Sequence, residues 1–458
     1  MSTTVDFAII GGGVVGCAVA RQLAGFEASV ALIEARGDVG DATSKANTAI
    51  LHTGFDAVPG SLEATMVARG YHLLGEYAKA VGIPVEGTGA VLVAWTDEER
   101  DSLPVLRDKA VKNAYLSCEI VDADAVYAMV PALGPGVLGG LTVPGESIIC
   151  PWSTTLAYAT EAKARGARLM MDTTVTGVSV GVDHTVLQTT AGDIQARWVV
   201  NAAGLGGDVI DHLYGYDRFT VVPRRGELFV FDKLTRPLVD RIVLPVPSSK
   251  GKGVLVSPTI YGNVMLGPTS ENLVDRQDTS TSEEGFAFLL AKGRALMPSL
   301  LEEEVTASYA GLRAATEHSD YVVEVDAAQR YVLLGGIRST GLTASMSLAE
   351  HVVALLEGAG EVMVPRAQLP APPVMPNIGE ASLRPYQRDD LIASDPEYGR
   401  IVCFCERVTR GEIRDALASP VPPCDLDGLR RRTRSMMGRC QGFFCGAEVS
   451  ELMSEAGL

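Results

Sequence analysis

Positive charge is in short supply: 39 Lys and Arg stand against 56 Asp and Glu, a net charge of −17 over 458 residues. Such a surface repels phosphate backbones and anionic lipid, so nucleic acid and bilayer surfaces are poor partners. Arg430, Arg431, Arg432 and Arg434 form a local exception. They are read as compensation of a negative cluster, or as a solvated face, rather than as a nucleic-acid patch. Long apolar runs are also missing. None approaches the ~20 residues that span a bilayer, which predicts no transmembrane segment while leaving room for docking to a membrane partner. The apolar run from Phe7 to Ala20 has no Lys or Arg before it and carries glycines spaced as a nucleotide-binding turn, so it is not read as a secretion signal. Cysteine is scarce too, with eight in the chain and five of them from Cys403 onward. That pattern excludes a disulfide scaffold and predicts a metal or cluster site in a reducing cytoplasm.

The length predicts two or three domains. Val5 to Ile10 reads as a buried parallel strand, followed by a Gly-rich turn, a helix from about Val14 to Ala24, and a second strand from Ser29 to Glu34. This is a βαβ unit, the smallest piece that specifies a dinucleotide site. In Gly11-Gly12-Gly13-Val14-Val15-Gly16, Gly11 permits the tight turn, Gly13 lets backbone approach a pyrophosphate, and Gly16 lets helix and strand pack closely. The helix directs its positive dipole end at the phosphates, and Glu34 is placed to accept from a ribose diol. Further strands are expected at Arg168 to Asp172, Trp198 to Asn201 and Tyr331 to Leu334. The β-branched segments Phe219 to Val230 and Ile242 to Leu266 predict a mostly antiparallel sheet, inserted as a second domain. From Pro365 to Pro385 the chain turns Pro-rich, as an extended surface linker does, and a separate module follows.

Three later segments distinguish FAD from NAD by resemblance. Thr43-Ser44-Lys45-Ala46-Asn47 with Leu51-His52-Thr53-Gly54, Val199 to Gly204, and Gly335-Gly336-Ile337-Arg338-Ser339-Thr340-Gly341-Leu342-Thr343 resemble FAD-contacting segments. The family is the D-amino-acid-oxidase and glycerol-3-phosphate-dehydrogenase superfamily of FAD oxidoreductases, and the likeness spans nearly the whole first 360 residues. It implies an α/β fold in which a Rossmann-type FAD-binding domain (1–80, 145–215, 330–362) carries an inserted mixed or antiparallel-sheet substrate domain (81–144, 216–329). It also implies that Thr43, Ser44, Asn47, Val175, Ala203, Gly204, Gly336, Ile337, Gly341, Leu342 and Thr343 join Gly11, Gly13, Gly16 and Glu34 at the cofactor. A helix N-terminus aimed at the flavin pyrimidine would stabilise the anionic reduced ring.

Beyond the linker (363–396), residues 397–458 hold Cys403-Phe404-Cys405 and Cys440-Gln441-Gly442-Phe443-Phe444-Cys445. Thr409 to Glu412 reads as a capping box that starts a helix. Four thiolates on two loops can hold a 2Fe-2S cluster or zinc. The arrangement resembles the bacterioferritin-associated-ferredoxin-like domain that also closes the catalytic subunit of anaerobic glycerol-3-phosphate dehydrogenases, which favours the cluster. Cys424 is read as a packing thiol, and Cys17, Cys118 and Cys150 as small buried apolar residues.

The resemblance places His52 facing the flavin as base or oxyanion partner, a role that suits imidazole near neutral pH. Arg313, in the Gly-Leu-Arg element, would face a substrate anion, since its fork suits phosphate or carboxylate. Arg338 is a second candidate. Gly226-Glu227 and the stretch from Gly262 to Thr269 read mainly as architecture. Glu146 to Pro151 departs from the Asp-Pro found near this point in many relatives. The implied function is FAD-dependent oxidation of a small anionic alcohol, glycerol 3-phosphate or a similar polyol phosphate. Electrons would pass through the cluster to a protein subunit or quinone-linked carrier. Two alternatives stand beside it: oxidation of a 2-hydroxy acid such as L-2-hydroxyglutarate or of an amino acid, and a non-catalytic electron-transfer or redox-sensing subunit.

Overall fold

The computed structural model describes residues 3–247 and 253–458. The segment expected as strand from Ile242 to Leu266 therefore has its residues 248–252 outside the described ones. The N-terminal strand Thr3–Ile10 pairs in parallel with Val30–Ile33 on one side and Ile194–Asn201 on the other. Arg168–Met170 extends the parallel run beyond the second strand, and Tyr331–Gly335 extends it beyond Ile194–Asn201. Parallel neighbours require crossovers, and the first crossover is the helix Val14–Leu23, as the spacing predicts. Ile10 lies level with both Ile33 and Asn201, so strand ends and the turns after them gather at one edge. The helices Pro151–Ala164 and Gly341–Gly358 pack against Val14–Leu23, and Leu62–Val81 packs against Gly341–Gly358.

A second sheet takes strands from two separate stretches of chain. Ala90–Ala94, Glu119–Val121 and Gly139–Val143 come from the first, and Val222–Phe231, Ile242–Pro245, Leu255–Pro258, Val264–Gly267, Glu271–Asn272 and Val305–Ala315 from the second. It is antiparallel throughout except where Ile242–Pro245 runs parallel to Ala90–Ala94. Val91, Val93, Phe229, Phe231, Val256 and Leu266 form its own core against the helix Glu283–Leu296. A short third sheet joins Ile50–Leu51, Ser147–Ile149 and Val85–Glu86. The α/β class with an inserted, largely antiparallel domain stands as expected.

The segment 360–384 has no helix or strand, in keeping with its prolines, and most of it is exposed. It is nevertheless tied down: Met375 N donates to Val81 O at 2.7 Å, Glu380 N to Ile260 O at 2.8 Å, and the fully buried Arg384 reaches Glu412 at 3.1 Å. The terminal module has a small core of Val402, Val408, Ile413, Leu429, Val449 and Leu452. Thr409 caps the helix Arg410–Leu417 in a capping box with Glu412. Of the two readings of the basic run, compensation of negative charge holds for Arg431, Arg432 and Arg434, which are buried and ion-paired, the first two with Asp38 and the third with Glu406. Cys424, exposed as a residue, sets its sulfur against Gly37 at the seam with the first domain.

Candidate functional site

The glycine turn has the shape that its sequence requires. Gly11 has φ of +107°, and a Cβ there would strike the Ala202 carbonyl, while one on Gly16 would strike the Gly11 carbonyl. Only hydrogen fits at either position. The helix that follows is capped by no side chain at Gly13, although its first amide, Val14 N, donates to Ser44 Oγ at 2.9 Å. Glu34 ends the second strand and accepts from Gly12 N at 2.6 Å and Arg36 N at 2.8 Å. Burial pushes its carboxyl pKa up against the pull of those amides. Asn47 Nδ2 donates to Ser44 O, and Ala203 N to Asn201 Oδ1, which fixes the neighbouring turns. The helix Gly341–Gly358 likewise opens at Thr340 without a side-chain cap, a few residues after the turn at Gly336, whose φ is +67°. Leu342 packs on the main core. Val175 sits on an outer strand opposite Thr189, two residues past Thr173, whose amide donates to Glu34 O at 2.8 Å.

His52 follows the strand Ile50–Leu51 and meets the neighbouring strand's preceding turn, because Leu51 is level with Ser147. There its Nδ1 lies 3.1 Å from Glu146 Oε2. Glu146 is completely buried, and its other oxygen accepts from Thr53 N at 2.7 Å and Thr53 Oγ1 at 2.9 Å. His52 N donates to Thr343 Oγ1 at 3.0 Å, which ties the imidazole backbone to the last helix. Glu146 is not among the residues that the sequence singles out for the site. A single acid in a Pro-Gly-Glu turn carries no periodic or spacing signal, and only the strand register reveals its partner.

Arg313 reaches the same region from the inserted sheet. Thr43 Oγ1 donates to Leu312 O at 2.9 Å and Tyr309 OH to Asn47 O at 2.9 Å, so its strand lies along the segment 43–47. The guanidinium packs over Gly226, and no hydrogen bond or ion pair engages it among the described residues. Burial, and then the facing Arg224, push its pKa down from the ordinary arginine value. Arg338 stands differently: its nitrogens donate to His318 O at 2.9 Å and Ser319 O at 2.5 Å, and Glu63 lies 3.9 Å away. It is thus held by protein groups, where Arg313 is not.

The four cysteines of the terminal module stand in two pairs, Cys405 beside Cys440 and Cys403 beside Cys445, and no three of them converge on one point among the described residues. The amides of Phe444, Gly442 and Phe443 point at the Cys440 sulfur and hold its pKa below the usual thiol value, while burial pushes Cys445 up to about 12. Amides aimed at sulfur are the environment of a thiolate ligand, and two pairs of thiolates suit a cluster of two irons. The module touches the inserted domain beside this site. Arg434 pairs with Glu406 at 3.0 Å, lies 4.4 Å above the Tyr261 ring, and donates to Asn263. Tyr261 stacks on Trp152 at 4.8 Å, and Trp152 Nε1 donates to Lys45 O at 3.0 Å.

A parallel sheet with an open glycine turn, an inserted antiparallel domain and a fused four-thiol module defines a flavin-dependent oxidoreductase with a second, iron–sulfur redox centre. Residues 6–355 match the DAO model, FAD dependent oxidoreductase, and residues 401–455 the BFD-like 2Fe-2S binding domain. The chain belongs to the DAO family of FAD dependent oxidoreductases, and its cofactors are FAD and a 2Fe-2S cluster. It is 33% identical over 452 residues to a glycerol 3-phosphate dehydrogenase of Caloramator mitchellensis, covering 98% of this chain and 94% of that one. It is 28% identical to a subunit of the anaerobic glycerol-3-phosphate dehydrogenase of Escherichia coli K12, over 99% of this chain and 88% of that one. Among solved structures it resembles the FAD-bound L-alpha-glycerophosphate oxidase of Mycoplasma pneumoniae, with a TM-score of 0.77 and 28% identity, covering 82% of this chain and all of that one. No helix among the described residues is long and apolar enough to cross a membrane.

Proposed function

We propose that this chain oxidises glycerol 3-phosphate, or a closely similar polyol phosphate, to the corresponding ketone. The observation that carries the proposal is Arg313. A half-buried guanidinium with no anionic partner among the described residues is costly to desolvate, unless an anionic ligand completes it. Its fork matches two oxygens of a phosphate, and the relatives' names point to the same substrate.

The glycine turn from Gly11 to Gly16 and the uncapped helix after it hold the pyrophosphate in this reading, with Glu34 on the ribose. The segment 43–47, the turn at Ala203-Gly204 and the loop from Gly336 to Thr343 surround the rest of the cofactor. FAD supplies the hydride acceptor when bound, and the cluster supplies a one-electron outlet. His52 takes the substrate hydroxyl proton at Nε2, the nitrogen that Glu146 does not engage. Glu146 keeps a proton on Nδ1 and stabilises the imidazolium once it forms. Thr53 and Thr343 fix acid and imidazole in place. Onward electron flow uses the contact from Glu406 through Arg434, Tyr261 and Trp152 to Lys45, which joins the two redox regions without a gap. Phe404, Phe443 and Phe444 leave an exposed apolar surface around the cysteines, suited to an electron-accepting protein.

Anaerobic mixing with glycerol 3-phosphate, glycerol, L-2-hydroxyglutarate and amino acids, followed by bleaching of the flavin band, tests this proposal. Bleaching by the phosphate ester at far lower concentration than by the others supports it. Preference for a carboxylate would move the assignment to a 2-hydroxy acid or amino acid, and no bleaching by any would leave only an electron-relay role.

A further inference from the structure

The segment 38–45 runs between two partners. On one side is the glycine turn: Gly40 N donates to Gly12 O at 2.8 Å, and Ser44 Oγ accepts from Val14 N at 2.9 Å. On the other side is the four-cysteine module. Asp38, only 3% exposed, takes Arg432 through both oxygens at 2.6 and 2.8 Å and Arg431 at 2.9 Å. Arg431 also reaches Asp41 at 2.7 Å. Both arginines belong to the helix Leu426–Thr433, nearly four hundred residues away in sequence. A cavity of about 20 Å³ lies at this junction, lined in part by Gly40, Ser44, Trp152, Arg431 and Arg432.

We infer that the four-cysteine module forms part of the FAD site, holding the segment 38–45 in the shape the glycine turn needs, so that FAD binding and docking of the module are coupled. The inference rests on the reading of Gly11–Gly16 as the pyrophosphate turn. Asp38 and Asp41 place two carboxylates beside a position that must accept a doubly charged pyrophosphate, and like charges at short range oppose binding. Arg431 and Arg432 cancel those charges while the module is docked. Undocking strips Asp38 of both its partners and Asp41 of Arg431, leaving Asp41 with Lys45 and Arg36, and the charge uncovered beside the phosphate turn then opposes an anion there. Docking therefore favours FAD, and FAD favours docking by the same factor. The module thus acts as a back wall to the flavin domain, in place of the freely tethered carrier that its linker suggests.

The test uses the full-length chain and the substitution Gly428→Ala. A Cβ on Gly428 would lie 2.8 Å from Asp38 Oδ2, so it displaces the carboxylate while leaving every charge in place. Alanine also favours helix, which spares the module's own fold. Arg432→Gln serves as the second variant. FAD titrated into apoprotein gives the dissociation constant through flavin fluorescence, and limited proteolysis within 360–384 reports undocking. Both variants should raise the FAD dissociation constant by about tenfold or more. Both should also speed cleavage of the linker, and saturating FAD should slow cleavage of the parent chain. Faster cleavage with parent FAD affinity would show a tethered passenger and overturn the inference. Unchanged cleavage and affinity in both variants would overturn it as well. Gly13→Asp is the control: loss of FAD there beside parent affinity in Gly428→Ala sinks the coupling alone, whereas parent affinity in Gly13→Asp sinks the pyrophosphate reading and the inference with it.

Discussion

His52 Nδ1 and Glu146 Oε2 stand 3.1 Å apart, with the carboxylate wholly buried and its second oxygen committed to Thr53. This geometry leaves one imidazole nitrogen for substrate, and it makes the acid a positioning residue rather than one that touches the reacting atoms. Glu146→Gln keeps the shape but weakens a charge-assisted hydrogen bond worth about 1.5–3 kcal/mol, so flavin reduction should slow by about tenfold to a hundredfold. His52→Ala should slow it by roughly 10²- to 10⁴-fold. Anaerobic stopped-flow spectroscopy measures both, with substrate affinity expected to change little. Parent reduction rates in both variants would remove the base from this position.

Arg313 should act on binding first. Arg313→Lys keeps the charge and loses the fork, and should raise the substrate dissociation constant by about tenfold or more. Arg313→Met should lose binding further while slightly raising the melting temperature of the substrate-free protein, because a half-buried cation without a partner opposes folding. A melting temperature that falls in Arg313→Met would mean that the guanidinium has a stabilising role in the free chain.

The terminal module should hold about two iron and two acid-labile sulfides per chain in anaerobic preparations, in keeping with its four thiolates. Stoichiometric zinc without sulfide would contradict the electron outlet. Cys440→Ser should abolish the cluster signal and slow electron delivery to an external acceptor, while reduction of the bound flavin by substrate proceeds at the parent rate.

Asp41 offers a handle on pH. Burial raises its carboxyl pKa, but the hydrogen bond from Lys45 and the charges of Arg431 and Arg36 outweigh that, so the folded value lies below the ordinary one. A depressed folded pKa contributes stability that is present above the unfolded value, near ~3.9, and is lost as pH falls through the folded value. Protease cleavage within 360–384, which reports loss of the Asp41–Arg431 contact, should therefore be flat from neutral pH down to about pH 4 and speed up below it. Asp41→Asn should speed cleavage at neutral pH and flatten that acid limb; an unaltered profile would remove Asp41 from the contact.

Much of this molecule was legible from one dimension. The βαβ unit announced itself because strand, glycine spacing and helix are local, and only glycine fits at Gly11 and Gly16. The capping box at Thr409 and the paired cysteines were readable for the same reason, since short spacing fixes both backbone and chemistry. What the sequence could not determine is what depends on register and docking. Glu146 became the partner of His52 only when Leu51 came level with Ser147. The basic run at Arg431 and Arg432 found its negative cluster in Asp38 and Asp41, nearly four hundred residues earlier. Cys424, read as a packing thiol, meets Gly37 at that same seam while staying open to solvent. Local sequence encodes local backbone preference, whereas burial and ion pairing belong to surfaces that exist only after distant segments meet, and at those surfaces the tertiary structure alone decided.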